Sequence, residues 1–298
     1  HHLMSRLVLG TVQLGMPYGI ANSLGKPGQQ DVNRIIAAAV EQNITEFDTA
    51  QGYGNSEEVL GRAFRDLKLI GKVRVITKLD PNLDHLDGAR IRAAVETSLR
   101  LLGIDSCDGL MLHREGLVEL LDKGLSEILL KLKHAGLIRR IGVSVYSVNR
   151  ATQALGHKDV GFVQIPSNIL DQRFVTARIS ETAKTLGKVL YIRSIFLQGL
   201  LVLPLANIPA RLDFAREHLM HFQDLAKELN ITPQELAMGY VKQQFPEAQI
   251  LFGAESVDQV VSNCELMYKE YPAAILAGAA RFHNVDERVI NPALWPNS

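Results

Sequence analysis

Short, nearly all-apolar runs alternate with amphipathic stretches along the whole chain, and this alternation restricts the available folds more than any other feature. Such runs suit parallel strands buried on both faces and joined by covering helices. Eight strands are expected, at residues 6–9, 44–48, 73–77, 109–113, 138–143, 161–165, 189–193 and 248–251. Apolar residues at helical spacing fall between them at 32–42, 56–66, 89–102, 120–135, 149–155, 176–186, 212–229 and 236–244, and a last helix starts near Ser256. Ser56 reads as a cap and Gly136 as a stop, while Thr232-Pro233-Gln234-Glu235 reads as a cap, first-turn proline and capping acid. The longest irregular stretches, 14–30 and 200–211, follow strand ends.

Two α/β folds compete for this pattern. Eight strand–helix units in 298 residues come to about 37 residues each, close to what a (β/α)8 TIM barrel uses. A doubly wound open sheet normally places a glycine-rich phosphate turn after its first strand. Here that place reads Gly10-Thr11-Val12-Gln13-Leu14-Gly15, without the G-x-G-x-x-G spacing. The expectation is one barrel domain over residues 5–298, with residues 1–4 set aside as an expression-tag remnant.

A content of 47% hydrophobic and 21% charged residues is enough for a full core. With 32 basic and 32 acidic residues the net charge is zero, which argues against nucleic-acid or membrane-surface binding. No apolar run is long enough to cross a bilayer. Cys107 and Cys264 are expected to be buried small apolar groups in a reducing, cytoplasmic setting, without a disulfide or metal site. His218 and His221 stand three apart on a helix but lack an acidic or cysteine partner, so a solvated face is expected.

On a barrel, the C-terminal strand ends share one mouth. Asp48, Lys78 and His113 close the second, third and fourth strands, and Tyr53 follows the second. Each alone has an ordinary explanation, as a cap, a solvated amine, a structural imidazole or a packing ring; together they are the parts needed to protonate a carbonyl oxygen. A free phenol has a pKa of about 10, and a neighbouring ammonium favours its ionised form. Asp48 would hold Lys78, His113 would orient the carbonyl, and Tyr53 would deliver the proton.

The stretch Asp48-Thr49-Ala50-Gln51-Gly52-Tyr53-Gly54-Asn55-Ser56-Glu57 resembles the signature of the aldo-keto reductase superfamily, in the bacterial branch related to potassium-channel β subunits. The similarity extends over essentially the whole chain. It implies a (β/α)8 barrel, a nicotinamide cofactor bound without a Rossmann motif, a small-molecule carbonyl substrate and Tyr53 as proton donor. It also implies cofactor contacts: Ser144 and Gln164 for the nicotinamide carboxamide, with Asn168 nearby. Arg193 falls at the seventh-strand position facing the nicotinamide, Ser194, Leu197 and Gly199 in the loop that wraps the pyrophosphate, and Gly253, Glu255, Gln259 and Asn263 in the segment holding the adenosine end. Gly10 and Thr11, at the first strand end, complete the set. A helix N-terminus after Gly253 would favour phosphate.

Three positions leave the family pattern. Val145 replaces an asparagine beside Ser144. Arg193 replaces an aromatic that stacks on nicotinamide; a guanidinium plane can also stack, and its charge would favour the reduced ring. Glu255 stands where members preferring NADP place a basic or hydroxyl side chain. The resemblance puts NADPH first without excluding NADH. Tyr18 and Trp295 are further candidates for the substrate mouth. Two other readings stay open: a slow or non-catalytic redox-sensing subunit, and a Schiff-base aldolase with Lys78 as nucleophile. The substrate and the oligomeric state are not readable from the sequence.

Overall fold

The computed structural model describes residues 5–20, 22 and 24–297. The tag-like residues 1–4, two positions of the first long loop and the end of the expected domain range, Ser298, lie outside the described residues. Eight parallel strands form a closed barrel in chain order: β1 (Leu7–Gly10), β2 (Glu46–Asp48), β3 (Arg74–Lys78), β4 (Gly109–Leu112), β5 (Ile141–Ser144), β6 (Phe162–Pro166), β7 (Val189–Arg193) and β8 (Gln249–Gly253). β8 closes on β1 with Gly253 beside Gly10. All eight expected strands are present, and the open-sheet alternative is excluded.

Strand periodicity makes two cores. One row of side chains, Val8, Ile76, Met111, Phe162, Tyr191 and Leu251, fills the barrel interior. The alternate row, including Leu9, Phe47, Val75 and Val163, packs outward in the larger core with the helices. Phe162 requires glycine on the two strands before its own: a Cβ on Gly142 of β5 or Gly109 of β4 would run into its ring.

The inward row extends one step further at the C-terminal ends. Two residues beyond Val8, Glu46, Ile76, Met111, Gly142, Phe162, Tyr191 and Leu251 come Gly10, Asp48, Lys78, His113, Ser144, Gln164, Arg193 and Gly253. Period-two alternation carries this second set into the barrel mouth.

The helices depart from the expected bounds where the backbone must turn. The expected 120–135 helix is a 3-10 segment, Glu115–Lys123, followed by an α-helix, Leu125–His134. Gly124, at φ 119°, separates them, a conformation no helix interior accepts. The helix expected at 176–186 runs over Ile179–Thr185, set off by Arg178 in the left-handed region from a short helical turn, Arg173–Thr176. The helix expected from 212 begins at Arg216, after a 3-10 turn, Ala210–Ala215. Thr232 and Glu235 form the expected capping box, with Pro233 in the first turn. Ser56 is not a cap: Asn55 precedes that helix, and Ser56 is buried within its first turn.

The lower, N-terminal end of the barrel is plugged by buried polar side chains absent from the sequence expectations. Tyr191 donates to Glu46, while Arg140 donates to Tyr191 Oη at 2.8 Å and to Asp108 at 3.0 Å. Arg74 adds a 3.4 Å pair with Glu46. Cys107 and Cys264 are both buried and unpaired. Among the described residues, no helix is long and apolar enough to cross a membrane.

Candidate active site

The candidates Asp48, Tyr53, Lys78 and His113 meet at the mouth. Lys78 and Asp48 are 1% and 2% exposed, and Lys78 Nζ lies 2.6 Å from Asp48 Oδ1. Lys78 also donates to the Thr49 carbonyl at 3.0 Å. Burial pulls the ammonium toward neutrality, but Asp48, and then Tyr53, act against this and hold the amine above its ordinary value. The ammonium sits 4.8 Å from the centre of the Tyr53 ring. His113 meets that ring edge-on, with centroids 5.7 Å apart. Burial first, and then the Lys78 charge, push His113 down from 6.5 to about 4, so its imidazole is neutral near pH 7. His113 Nδ1 is buried without a partner.

A knot of hydroxyls seats this group. Ser56 Oγ lies 2.7 Å from Thr11 Oγ1 and 2.8 Å from Thr49 Oγ1, and Thr11 Oγ1 donates to the Asp48 carbonyl at 2.8 Å. The Tyr53 turn is pressed against the first loop so closely that a Cβ on Gly15 would strike the Tyr53 carbonyl and Ser56. Gly54, at φ 57°, completes the turn where any other side chain would strike Gly15. The glycines and hydroxyls of the signature stretch therefore serve to place the phenol.

From Tyr53 and His113 a continuous cleft of about 970 Å³ runs to the start of the helix Val257–Tyr268. Gly10, Thr11, Ser144, Gln164, Arg193, Ser194, Gly199, Gly253, Glu255, Gln259 and Asn263 line it with Asp48. Lys78 lies buried beneath it, and Leu197 is brought elsewhere, its side chain fully buried in the apolar core. The amide nitrogen of Gln164 is committed to Asp48 Oδ2 at 2.9 Å. Asn168 is a loop builder: it accepts from the backbone of Leu170 and Asp171 and donates to the Ser194 carbonyl at 3.0 Å. Trp295 is turned away, donating to the Val289 carbonyl at 3.2 Å, whereas Tyr18 does line the cleft.

The loop after β7 is conformationally strained. Ser194, Leu197 and Gln198 have φ of 60°, 51° and 55°, followed by Gly199 at 88°. Side-chain-bearing residues hold such angles only where surrounding structure compels them, commonly around bound ligands. The first long loop ties in here, with Ile20 N–H donating to the Gln198 carbonyl at 3.0 Å. At the cleft's far end Ser256 caps the helix by accepting from Gln259 N–H at 3.2 Å, and Gln259 accepts from Glu255 N–H at 2.9 Å. Glu235, Asp258, Glu265 and Lys269 also line that end, with Lys269 3.6 Å from Glu235.

Sequence reasoning missed these far-end charges and Gln13. The Gln13 side chain covers Gly253, where a Cβ would strike its amide, and its Oε1 is buried without a partner. Its signal was faint: a polar residue within the Gly10–Gly15 segment, whose glycine spacing weighed against a doubly wound sheet. The cleft suits an elongated ligand. It is at the upper end of the range for small-molecule sites, with paired glycines at one wall and unpartnered atoms of Gln13, Arg193 and His113 around it.

Residues 6–277 match the sequence model of the Aldo/keto reductase family. The chain is 30% identical over 177 residues to an aldo-keto reductase of Bacillus subtilis, covering 56% of this chain and 51% of that protein. It is 27% identical over 294 residues to the NADH-specific methylglyoxal reductase of Escherichia coli, covering 87% and 89%. The structure of a Klebsiella pneumoniae aldo-keto reductase in complex with NADPH superposes with a TM-score of 0.71 at 23% identity, covering 96% of this chain and 93% of that one.

Proposed function

Since the chain belongs to the aldo/keto reductase family, we propose that it reduces an aldehyde or ketone to an alcohol with a nicotinamide cofactor, Tyr53 supplying the proton. The observation that carries this reading is the buried Lys78–Asp48 pair directly beneath the Tyr53 ring, with neutral His113 at the ring edge. The cofactor supplies a hydride. With that hydride delivered to the carbonyl carbon, Tyr53 would give the carbonyl oxygen its proton, completing the two-electron reduction. Lys78 keeps a positive charge where negative charge develops on the phenol oxygen. Neutral His113 has Nε2 left to donate to the carbonyl, fixing its position against Tyr53. Asp48 holds the ammonium through one oxygen and Gln164 through the other.

Ser144, Gln164 and Arg193 would hold the nicotinamide end, and the strained 194–199 loop the pyrophosphate. Gly253, Glu255, Gln259 and Asn263 would hold the adenosine end. The aldolase reading fails on Lys78: a Schiff-base nucleophile must be uncharged and reachable, and this amine is paired, held as an ammonium and 1% exposed. The two buried, unpaired thiols suit a reducing, cytoplasmic setting.

The resemblance places NADPH first, and the Klebsiella structure was solved with it; the E. coli relative is NADH-specific. Glu255, Asp258 and Glu265 at the far end oppose a 2′-phosphate, and Lys269 is engaged with Glu235. A carbonyl panel followed by cofactor absorbance, run with both cofactors, tests the reading. Expected is loss of NADH or NADPH absorbance with at least one aldehyde or ketone, and kcat/KM for NADH at least equal to that for NADPH. Cofactor binding without turnover across the panel would favour a redox-sensing subunit instead.

A further inference from the structure

Arg193 carries a charge that its surroundings leave unbalanced. It is inward-facing at the end of β7, on the arc of strands that also brings Ser144, Gln164 and Gly253 to the cleft. Its terminal nitrogens make only long contacts, to the Val145 carbonyl at 3.3 Å and to Ser194 Oγ at 3.4 Å. Its Nε is buried without a partner. The two acids that act on it are already engaged, Asp48 with Lys78 at 2.6 Å and Asp171 with Arg173 at 2.8 Å. His113, across the cleft, is neutral. A guanidinium stays protonated even where burial lowers its pKa. Once the Lys78–Asp48 pair is taken as neutral, the mouth therefore carries one net positive charge, on the wall opposite Tyr53 and His113.

A carbonyl held by Tyr53 and His113 must receive its hydride from a ring between those side chains and that wall. The ring is neutral when reduced and cationic when oxidised. We infer that Arg193 makes the site discriminate by charge between the two redox states, holding the reduced cofactor more tightly than the oxidised one. The inference rests on the proposed reductase reading and adds a direction to it: the site retains what it consumes and expels what it makes. Arg193 sits on the cofactor arc, so its charge acts on the ring before it acts on a substrate.

Isothermal calorimetry with NADH, NAD+, NADPH and NADP+ tests this without turnover. In the wild type, Kd for the oxidised form should exceed that for the reduced form by about tenfold, equivalent to roughly 30 mV in the bound couple. Arg193→Met should bring the ratio to near unity, and Arg193→Lys, which keeps the charge, should preserve most of it. Circular dichroism checks that each variant folds; if Arg193→Met does not, Arg193→Gln takes its place. Equal wild-type affinities, or a ratio unmoved when the charge is removed, would overturn the inference while leaving the reductase reading intact. No binding of any dinucleotide would instead overturn the reductase reading itself.

Discussion

The two ends of the barrel interior are built from the same strands, a few residues apart, and treat buried charge in opposite ways. At the lower end Glu46, Asp108, Arg140 and Tyr191 are all hydrogen-bonded to one another or paired, and Arg140 lies 4.6 Å from the Phe162 ring centre. At the upper end one pair, Lys78–Asp48, is equally complete, but His113 Nδ1, Arg193 Nε and Gln13 Oε1 around it have no partner. An unsatisfied buried polar atom costs about 1–3 kcal/mol, so a fold keeps several together where a ligand supplies what is missing. The charged groups of the lower network satisfy one another, with Gln249 Oε1 left over beside them, whereas the upper set leaves polar atoms of three residues facing the cleft.

The sharpest way to break this contrast is at the phenol. Tyr53→Phe should lower kcat by about a thousandfold, within the range attributed to positioned proton donors, with cofactor Kd within about twofold of wild type. Retained carbonyl reduction would remove Tyr53 from its assigned role. Lys78→Met leaves Asp48 as an uncompensated buried charge and should destabilise the fold by about 3–5 kcal/mol in urea unfolding, as well as suppressing turnover. A loss confined to turnover would mean that Asp48 finds another partner.

The lower network should answer differently. Tyr191→Phe removes the hydroxyl that joins Glu46 to Arg140 and should lower stability by about 1–3 kcal/mol while leaving kcat/KM within about twofold. A large fall in kcat/KM at unchanged stability would erase the distinction between the two ends.

The last contrast concerns pH dependence. His113 is pushed from 6.5 to about 4 in the folded protein, first by burial. Between these values the unfolded chain binds the additional proton, so stability decreases as pH falls from about 6.5 toward 4 and is fully recovered above that window. The wild type should therefore lose more stability than His113→Gln between about pH 7 and about pH 4.5, measured by urea unfolding. Parallel losses would show that His113 is not the group responsible.

The comparison also explains what was legible in the sequence. The mouth was readable because strand periodicity and chain order alone bring Asp48, Lys78 and His113 to one end. The lower network was not, because Glu46 starts β2, Arg140 precedes β5 and Tyr191 lies in β7, and only barrel closure makes them neighbours. The helix at 120–135 was misread because apolar spacing continues through Gly124, while the backbone there turns left-handed. Leu197 was misplaced because a loop's sequence does not reveal which of its side chains faces inward. Gln13 carried no periodic signal.

The sequence by itself determined the eight-unit alternation, the barrel and the meeting of the candidate quartet at one mouth, because each depends on local pattern: short apolar strands, their order, and which residue ends each one. Only the tertiary structure decided the electrical state of the site. That Lys78 remains an ammonium, that His113 is neutral and that Arg193 stands without a counter-charge all follow from burial and from partners distant in the chain, and those distances exist only once β8 has closed on β1.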